Sequence, residues 1–147
     1  LCASTELPIR MDAARARAFA EASDGIVVRV DGEAAGAGFV QRSPCVGEGV
    51  EAPAGAVQLD EWLLSRWRGQ GLLSEAGAWP QLAEWLARRF DTEVSVTWED
   101  HAAMIAILKA RGYTRLGRSF WTSPPGGEGT SGHCEVWSYD LRPHRRA

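Results

Sequence analysis

Lysine is almost absent from this sequence: Lys109 stands alone against fifteen arginines. Phosphate binding would produce such a bias, and so would a GC-rich coding sequence. No apolar run approaches the ~20 residues that cross a bilayer, and no charged-then-apolar opening segment resembles a signal peptide. Cysteine is scarce. Cys2, Cys45 and Cys134 are odd in number, widely spaced, and form no C-x-x-C pair with histidines at zinc spacing. No metal site is expected, and a reduced, cytoplasmic protein is. His133 beside Cys134 offers two ligand types without further partners and reads as a strand edge. Strong charge of one sign is also missing. The formal net charge of -3, from 16 basic and 19 acidic side chains, gives no general attraction to nucleic acid or to an anionic membrane. Any bound anion must therefore be held by a local site. Leu1 in place of an initiator Met fits a processed or excised portion of a longer chain.

What is present suffices for one packed domain: 147 residues, 45% hydrophobic, with seven tryptophans. "DAARARAFAEA" (12–22) is rich in helix formers behind a capping Asp12. "GIVVRV", "DGE" and "AAGAGFVQR" (25–42) form a hairpin signal, with Gly36 and Gly38 marking a bulge or close approach in the second strand. "SPCVGEGVEAPAG" (43–55) reads as a mobile connection. "AVQLDEWLL" (56–64) is a strand. Helix formers follow from Leu72 to Phe90, with Gly77 and Pro80 able to split or kink them, and Leu82, Trp85, Leu86 and Phe90 on a core face. "EVSVTW" (93–98) alternates as a strand. "EDHAAMIAILKARGY" is a helix with acids in its first turn, Lys109 and Arg111 in its last, and Gly112 as its stop. "TRLGRSFW" and "CEVWSYDL" are strands joined by a Gly/Pro/Ser loop, and the tail "RPHRRA" reads as solvated. There are no repeats. The order of elements gives an α+β or α/β class with a mixed sheet.

The stretch "LDEWLLSRWRGQGLLSEAG" (59–77) carries the chemistry. A strand that breaks into a glycine-rich turn and opens a helix is a common way to build an anion site, because the first helical N–H groups have no intrahelical partner. No Lys follows Gly71, so a nucleoside triphosphate loop does not fit. Ser74 stands where a dinucleotide fold would close on a third glycine, and the preceding strands look antiparallel. The turn instead resembles the acetyl-CoA pyrophosphate loop, Q/R-x-x-G-x-G/A, of the GNAT N-acetyltransferase superfamily. "WRGQGLLSEA" is closest in pattern to the branch that acetylates ribosomal-protein N-termini, and "HAAMIAILKARGYTRLGR" resembles the family's second landmark, with His101 at the family's Asn. The resemblance runs from about Ile26 to Leu141. It implies a central, mostly antiparallel sheet with flanking helices.

Two registers of the signature exist. Arg66, Gly69 and Gly71 match it literally; Arg68 and Gly71, with Leu73 at the last small position, match the flanking pattern and align strand with helix. The second is preferred. The resemblance then implies acetyl-CoA as co-substrate, bound by Arg68, Gly69, Gln70, Gly71, Leu72, Leu73 and Ser74. It further implies a pantetheine arm and thioester oxyanion at the backbone of Leu63 and Leu64, and His101 in contact with CoA. The family's leaving-group Tyr falls on Leu108, so no such acid is assigned. An amine must lose its proton before it attacks, and Asp60 and Glu61 are the candidate bases. Alternation sends them to opposite faces of the strand; Asp60 is preferred, as base through a water or as an ammonium anchor. Only residues 1–24 precede the first clear strand, where the family fits a strand and two helices, so the single domain's front edge is expected to be abbreviated or missing.

Two functions follow. One is an acyl-CoA-dependent N-acetyltransferase acting in a ternary complex on an amine, whether a small molecule, a protein N-terminus or a lysine. The other is a non-catalytic acyl-CoA-binding or interaction module, favoured by Leu73, Leu108 and the short front. The aromatic "EVWSYDL" strand suits either a homodimer interface or burial within one subunit. Trp67, Trp98 and Trp121 lie near element ends, where they would line a groove or fill the core.

Overall fold

The computed structural model describes residues 24–122 and 131–145. The helix expected over 12–22 lies outside them. Six strands form one mixed sheet in the order β1-β2-β3-β4-β6-β5. The first hairpin forms as its sequence dictates. β1 (Asp24–Val30) and β2 (Glu33–Gln41) are antiparallel. Their turn places both Asp31 (φ 50°) and Gly32 (φ 80°) in the left-handed region, the geometry whose twist matches the flanking strands. The expected irregularity beside Gly36 is present: Val28 pairs with Gly36 and Arg29 with Ala34, so β2 holds one extra residue.

β3 (Val57–Leu63) pairs antiparallel with β2. β4 (Thr92–Trp98), β5 (Thr114–Trp121) and β6 (Gly132–Asp140) complete the sheet, with β6 between the other two and antiparallel to both. Among the described strands, only the β3–β4 contact is parallel. Helix α1 (Trp79–Ala87) makes the crossover between them and buries Trp79, Ala83, Leu86 and Ala87. Of the residues expected on its core face, Leu86 is fully buried and Leu82, Trp85 and Phe90 pack against the core partly buried. Helix α2 (Ala102–Arg111) follows β4; it opens behind a His101 cap, so Glu99 and Asp100 precede its first turn rather than lie in it. Its stop is as expected, with Gly112 at φ 88° closing the last turn onto the Leu108 and Lys109 carbonyls.

Both helices contribute to one core, with Val57, Leu59, Leu108, Tyr113, Trp137 and Leu141. Its aromatic centre is Trp79, Tyr113 and Tyr139, with centroids 4.8 to 5.9 Å apart. A smaller core on the opposite face joins Val94 and Val136 to Val46 and Ala56. Val46 comes from the segment expected to be mobile. That segment is instead pinned: Glu48 exchanges two 2.9 Å backbone hydrogen bonds with Phe120 of β5. It thereby covers part of the sheet's outer strand and supplies apolar side chains to a face where no described helix packs. The tail also differs from the solvated reading. Arg142–His144 form a 3-10 turn, and the Arg145 Nε donates to the Ala87 carbonyl at 2.7 Å.

Candidate active site

β3 and β4 run side by side for only two residue pairs, Val57–Glu93 and Gln58–Val94. Beyond them the ladder stops and the strands part, leaving a wedge between Leu59–Leu63 and Ser95–Trp98. Successive backbone groups of a strand point to alternate edges. The Leu59 N–H faces the wedge, where it meets the Glu93 Oε1 at 3.4 Å. Glu61 and Leu63 therefore present their backbone groups to the wedge too, and Asp60 faces β2. Leu63 is thus suited to the oxyanion and pantetheine role expected of it. Leu64 is not: its N–H is committed to the Ala35 carbonyl at 2.9 Å.

The glycine-rich turn follows. Ser65–Trp67 form a 3-10 turn, and the Arg68 Nε donates to the Leu63 carbonyl at 3.1 Å, folding the chain back over the strand end. Gly69 (φ 71°) and Gly71 (φ 72°) are left-handed on either side of Gln70. Among the described residues, the five consecutive N–H groups of Gly69, Gln70, Gly71, Leu72 and Leu73 donate to no protein atom. Such a row of unshared amides between left-handed glycines is the donor set that an anion cradle requires. The side chains around it are occupied locally: Gln70 Nε2 donates to the Arg66 carbonyl at 2.8 Å and Ser74 Oγ to the Gly71 carbonyl at 2.6 Å.

The helix does not open at this turn. α1 starts at Trp79, and residues 72–78 wind through turns, with the Ala78 N–H on the Leu72 carbonyl at 2.7 Å and the Gly77 N–H on the Ser74 carbonyl at 3.0 Å. Pro80 has no N–H and belongs in a first turn, and a side chain at Gly77 would lie 2.4 Å from the Leu72 oxygen. The cradle accordingly rests on backbone amides, without a helix dipole directly behind them.

The two candidate carboxylates lie on opposite faces of β3, as alternation requires. Asp60 accepts from Gln41 Nε2 and, at 3.3 Å, from Gln58 Nε2. Burial raises its pKa, and these two bonds oppose the rise. Glu61 faces the helices and is committed. Arg111 reaches it through Nη1 at 3.1 Å and Nη2 at 3.3 Å, with both side chains almost wholly buried. Burial raises the Glu61 pKa while the guanidinium lowers it. His101 caps α2, its Nδ1 accepting the Met104 N–H at 3.0 Å. A proton on Nε2 then points away from the helix, open to a ligand. Trp98 and Trp121 pack edge to face at 6.0 Å. Among the described residues no cluster of His, Cys, Asp or Glu could hold a metal ion; no described helix is long and apolar enough to cross a membrane.

Sequence reading missed Glu93, Arg111 and Tyr113 as parts of the site. In "TEVSVTW" the alternation Glu93, Ser95, Thr97 reads as a solvent face. It is buried instead, because β4 has core on both sides. Glu93 lies at the vertex of the wedge with no solvent exposure. Its Oε2 and the Tyr113 hydroxyl have no hydrogen-bond partner of ordinary geometry. Burial pushes its carboxyl up to about 8, the neighbouring Glu61 charge acting in the same direction and the Tyr113 hydroxyl partly offsetting it. A cavity of about 230 Å³ lies instead between β1–β2 and the crossover helix, lined by Ile26, Val28, Gly38, Glu61, Leu73 and Leu82 among others.

No protein-family profile matches the chain, and no curated protein does. Solved structures do. An N-acetyltransferase from Staphylococcus aureus Mu50 is 14% identical, with a TM-score of 0.67 over 94% of this chain and 84% of that one. The ribosomal L7/L12 alpha-N-protein acetyltransferase RimL, solved in complex with coenzyme A, is 17% identical, with a TM-score of 0.59 over 86% of this chain and 65% of that one. An acetyltransferase of the GNAT family from Streptococcus pneumoniae is 11% identical, with a TM-score of 0.58 over 85% and 70%. At such identities the likeness is one of fold. The likeness is that of a six-stranded mixed sheet with two helices: the chain has the GNAT acetyltransferase fold.

Proposed function

We propose that the chain is an acyl-CoA-dependent N-acyltransferase that moves an acetyl group from acetyl-CoA to a primary amine by direct attack in a ternary complex. The observation that carries this reading is the row of unshared amides from Gly69 to Leu73 at the mouth of the β3–β4 wedge. A diphosphate fits such a row, since glycines admit backbone donors without side chains in the way and each N–H gains a charge-assisted bond. The exposed Arg68 adds a positive charge beside it. The adjoining wedge edge of β3 offers the pantetheine amides the pairing that β4 does not, and the Leu63 N–H is the donor for charge developing on the thioester oxygen. His101, at the end of β4, contributes Nε2 to the cofactor's side of the wedge.

The amine nitrogen attacks the thioester carbonyl and gives up a proton, the carbon–sulfur bond breaks, and the leaving thiolate takes up a proton from water. Asp60 is the base, directly or through a water. Glu61 is less suited, because its oxygens are held by Arg111. The acceptor class is an amine, small or at a protein N-terminus or lysine. One observation favours the second reading, a module that binds acyl-CoA without turnover: the position of the family's Tyr acid holds Leu108, which is fully buried.

Calorimetric titration with acetyl-CoA and with CoA tests the common core. Micromolar binding is expected, abolished by Gly71→Asp and only weakened by Gly71→Asn. Both residues tolerate a left-handed backbone, so the contrast reads the added charge rather than strain. Unchanged affinity in Gly71→Asp removes the loop assignment. Thiol release across a panel of amines then separates enzyme from module.

A further inference from the structure

The cradle's far end has no helix to hold it, and the structure assigns that work to one buried side chain. We propose that Arg111 is the positioning residue of the anion loop: its guanidinium fixes the Leu73 carbonyl, and so the amides before it, against β3 and the start of α1. The proposal rests on the acyl-CoA reading only for the ligand that the loop takes.

The geometry is specific. Arg111 is the last residue of α2, where a solvated cation is the usual occupant, yet its side chain is 1% exposed. Nε and Nη2 both donate to the Leu73 oxygen, at 3.2 and 2.7 Å. Nη1 and Nη2 hold the two oxygens of Glu61 at 3.1 and 3.3 Å. The face of the group lies 4.1 Å from the centroid of Trp79, the first residue of α1. One planar fork therefore joins four segments: α2, β3, the cradle and the start of α1. Among the described residues, Leu73 is the one cradle residue whose carbonyl is held by a side chain from a distant element. A lysine could not reproduce this, since an ammonium has no planar fork that serves a carbonyl and a bidentate carboxylate while stacking on indole. The salt bridge itself need not be what matters, because a buried ion pair is often replaceable by apolar residues without loss of stability. What the apolar pair cannot replace is the donor set on Leu73.

This separates positioning from mere support. The double variant Glu61→Leu/Arg111→Leu is expected to melt within a few degrees of the parent, to bind CoA about tenfold or more weakly, and to be cut by trypsin after Arg68 several-fold faster. Arg111→Lys, which keeps the charge and the Glu61 partner, is expected to fold and to show the same two changes to a lesser degree. A folded double variant or Arg111→Lys with parental CoA affinity and parental cleavage overturns the proposal. Should the parent itself bind no CoA while the cleavage contrast persists, the clamp on the loop stands and the acyl-CoA reading falls.

Discussion

A carboxyl group without solvent access and with an unpartnered oxygen is stable in a protein mainly as the neutral acid. Glu93 meets both conditions. Its pKa of about 8 in the fold, against 4.5 for the free side chain, makes a stability statement with a definite sign. The folded state holds a proton that the unfolded state gives up above 4.5. The associated stability is complete below that pH and is lost as pH rises through about 8. The groups facing Glu93 are Glu61, Arg111 and Tyr113. Thermal melts of the parent should therefore fall from pH 5 to pH 8.5 by an amount on the order of a few kcal/mol. Glu93→Gln, neutral throughout and still able to accept the Leu59 N–H, should flatten that dependence. A parent and variant with parallel profiles would show that Glu93 is ionised in the fold.

At the scale of elements, backbone constraint decides more than propensity. Gly47 (φ 85°) brings the 43–56 segment so close to β5 that an added Cβ would lie 2.7 Å from the Phe120 oxygen. Gly55 (φ 74°) has equal need of a left-handed backbone but open space around it. Gly47→Ala should accordingly destabilise by about 1–3 kcal/mol, and visibly more than Gly55→Ala in urea unfolding, where only the φ penalty applies. Equal losses would mean that the bridge to β5 contributes nothing. The same segment shows why a Gly/Pro-rich stretch misleads. Its composition forbids regular structure, but Val46 and Val50 still pack on a bare sheet face, and the glycines permit the close approach. α1 shows the converse. Helix formers run from Leu72, yet Gly77 and Pro80 delay the helix to Trp79, so its first seven residues become the frame of the anion cradle.

For the whole molecule, the wedge between β3 and β4 is an unfilled sheet position, and a ligand that pairs with it and sits on the cradle links two halves of the sheet. Saturating CoA should then stabilise the chain globally: at about 100 times its Kd the gain is about 2.7 kcal/mol and a rise of several degrees in Tm. Gly71→Asp should show no such rise. A shift that survives in Gly71→Asp would place the ligand elsewhere.

Much of this could be read in the residues alone. The β1–β2 hairpin, the stop of α2 and the Gly-Gln-Gly turn are local. Each is dictated by the φ that Asp31, Gly32, Gly69, Gly71 and Gly112 must adopt. Asp60 and Glu61 were readable as residues on opposite faces, since alternation is a property of any strand. Which face is core, and what each carboxyl meets there, was not. Arg111 is separated by 50 residues from Glu61 and by 38 from Leu73. Glu93 reads as a surface acid until α1 and α2 are laid over β4. The sequence by itself determined the strands, the helix stop at Gly112 and the left-handed Gly-Gln-Gly turn, because backbone conformation is set by near neighbours. Only the tertiary structure decided which charges are buried, which are paired and where β3 leaves β4, because burial and pairing depend on chain segments that meet only after folding.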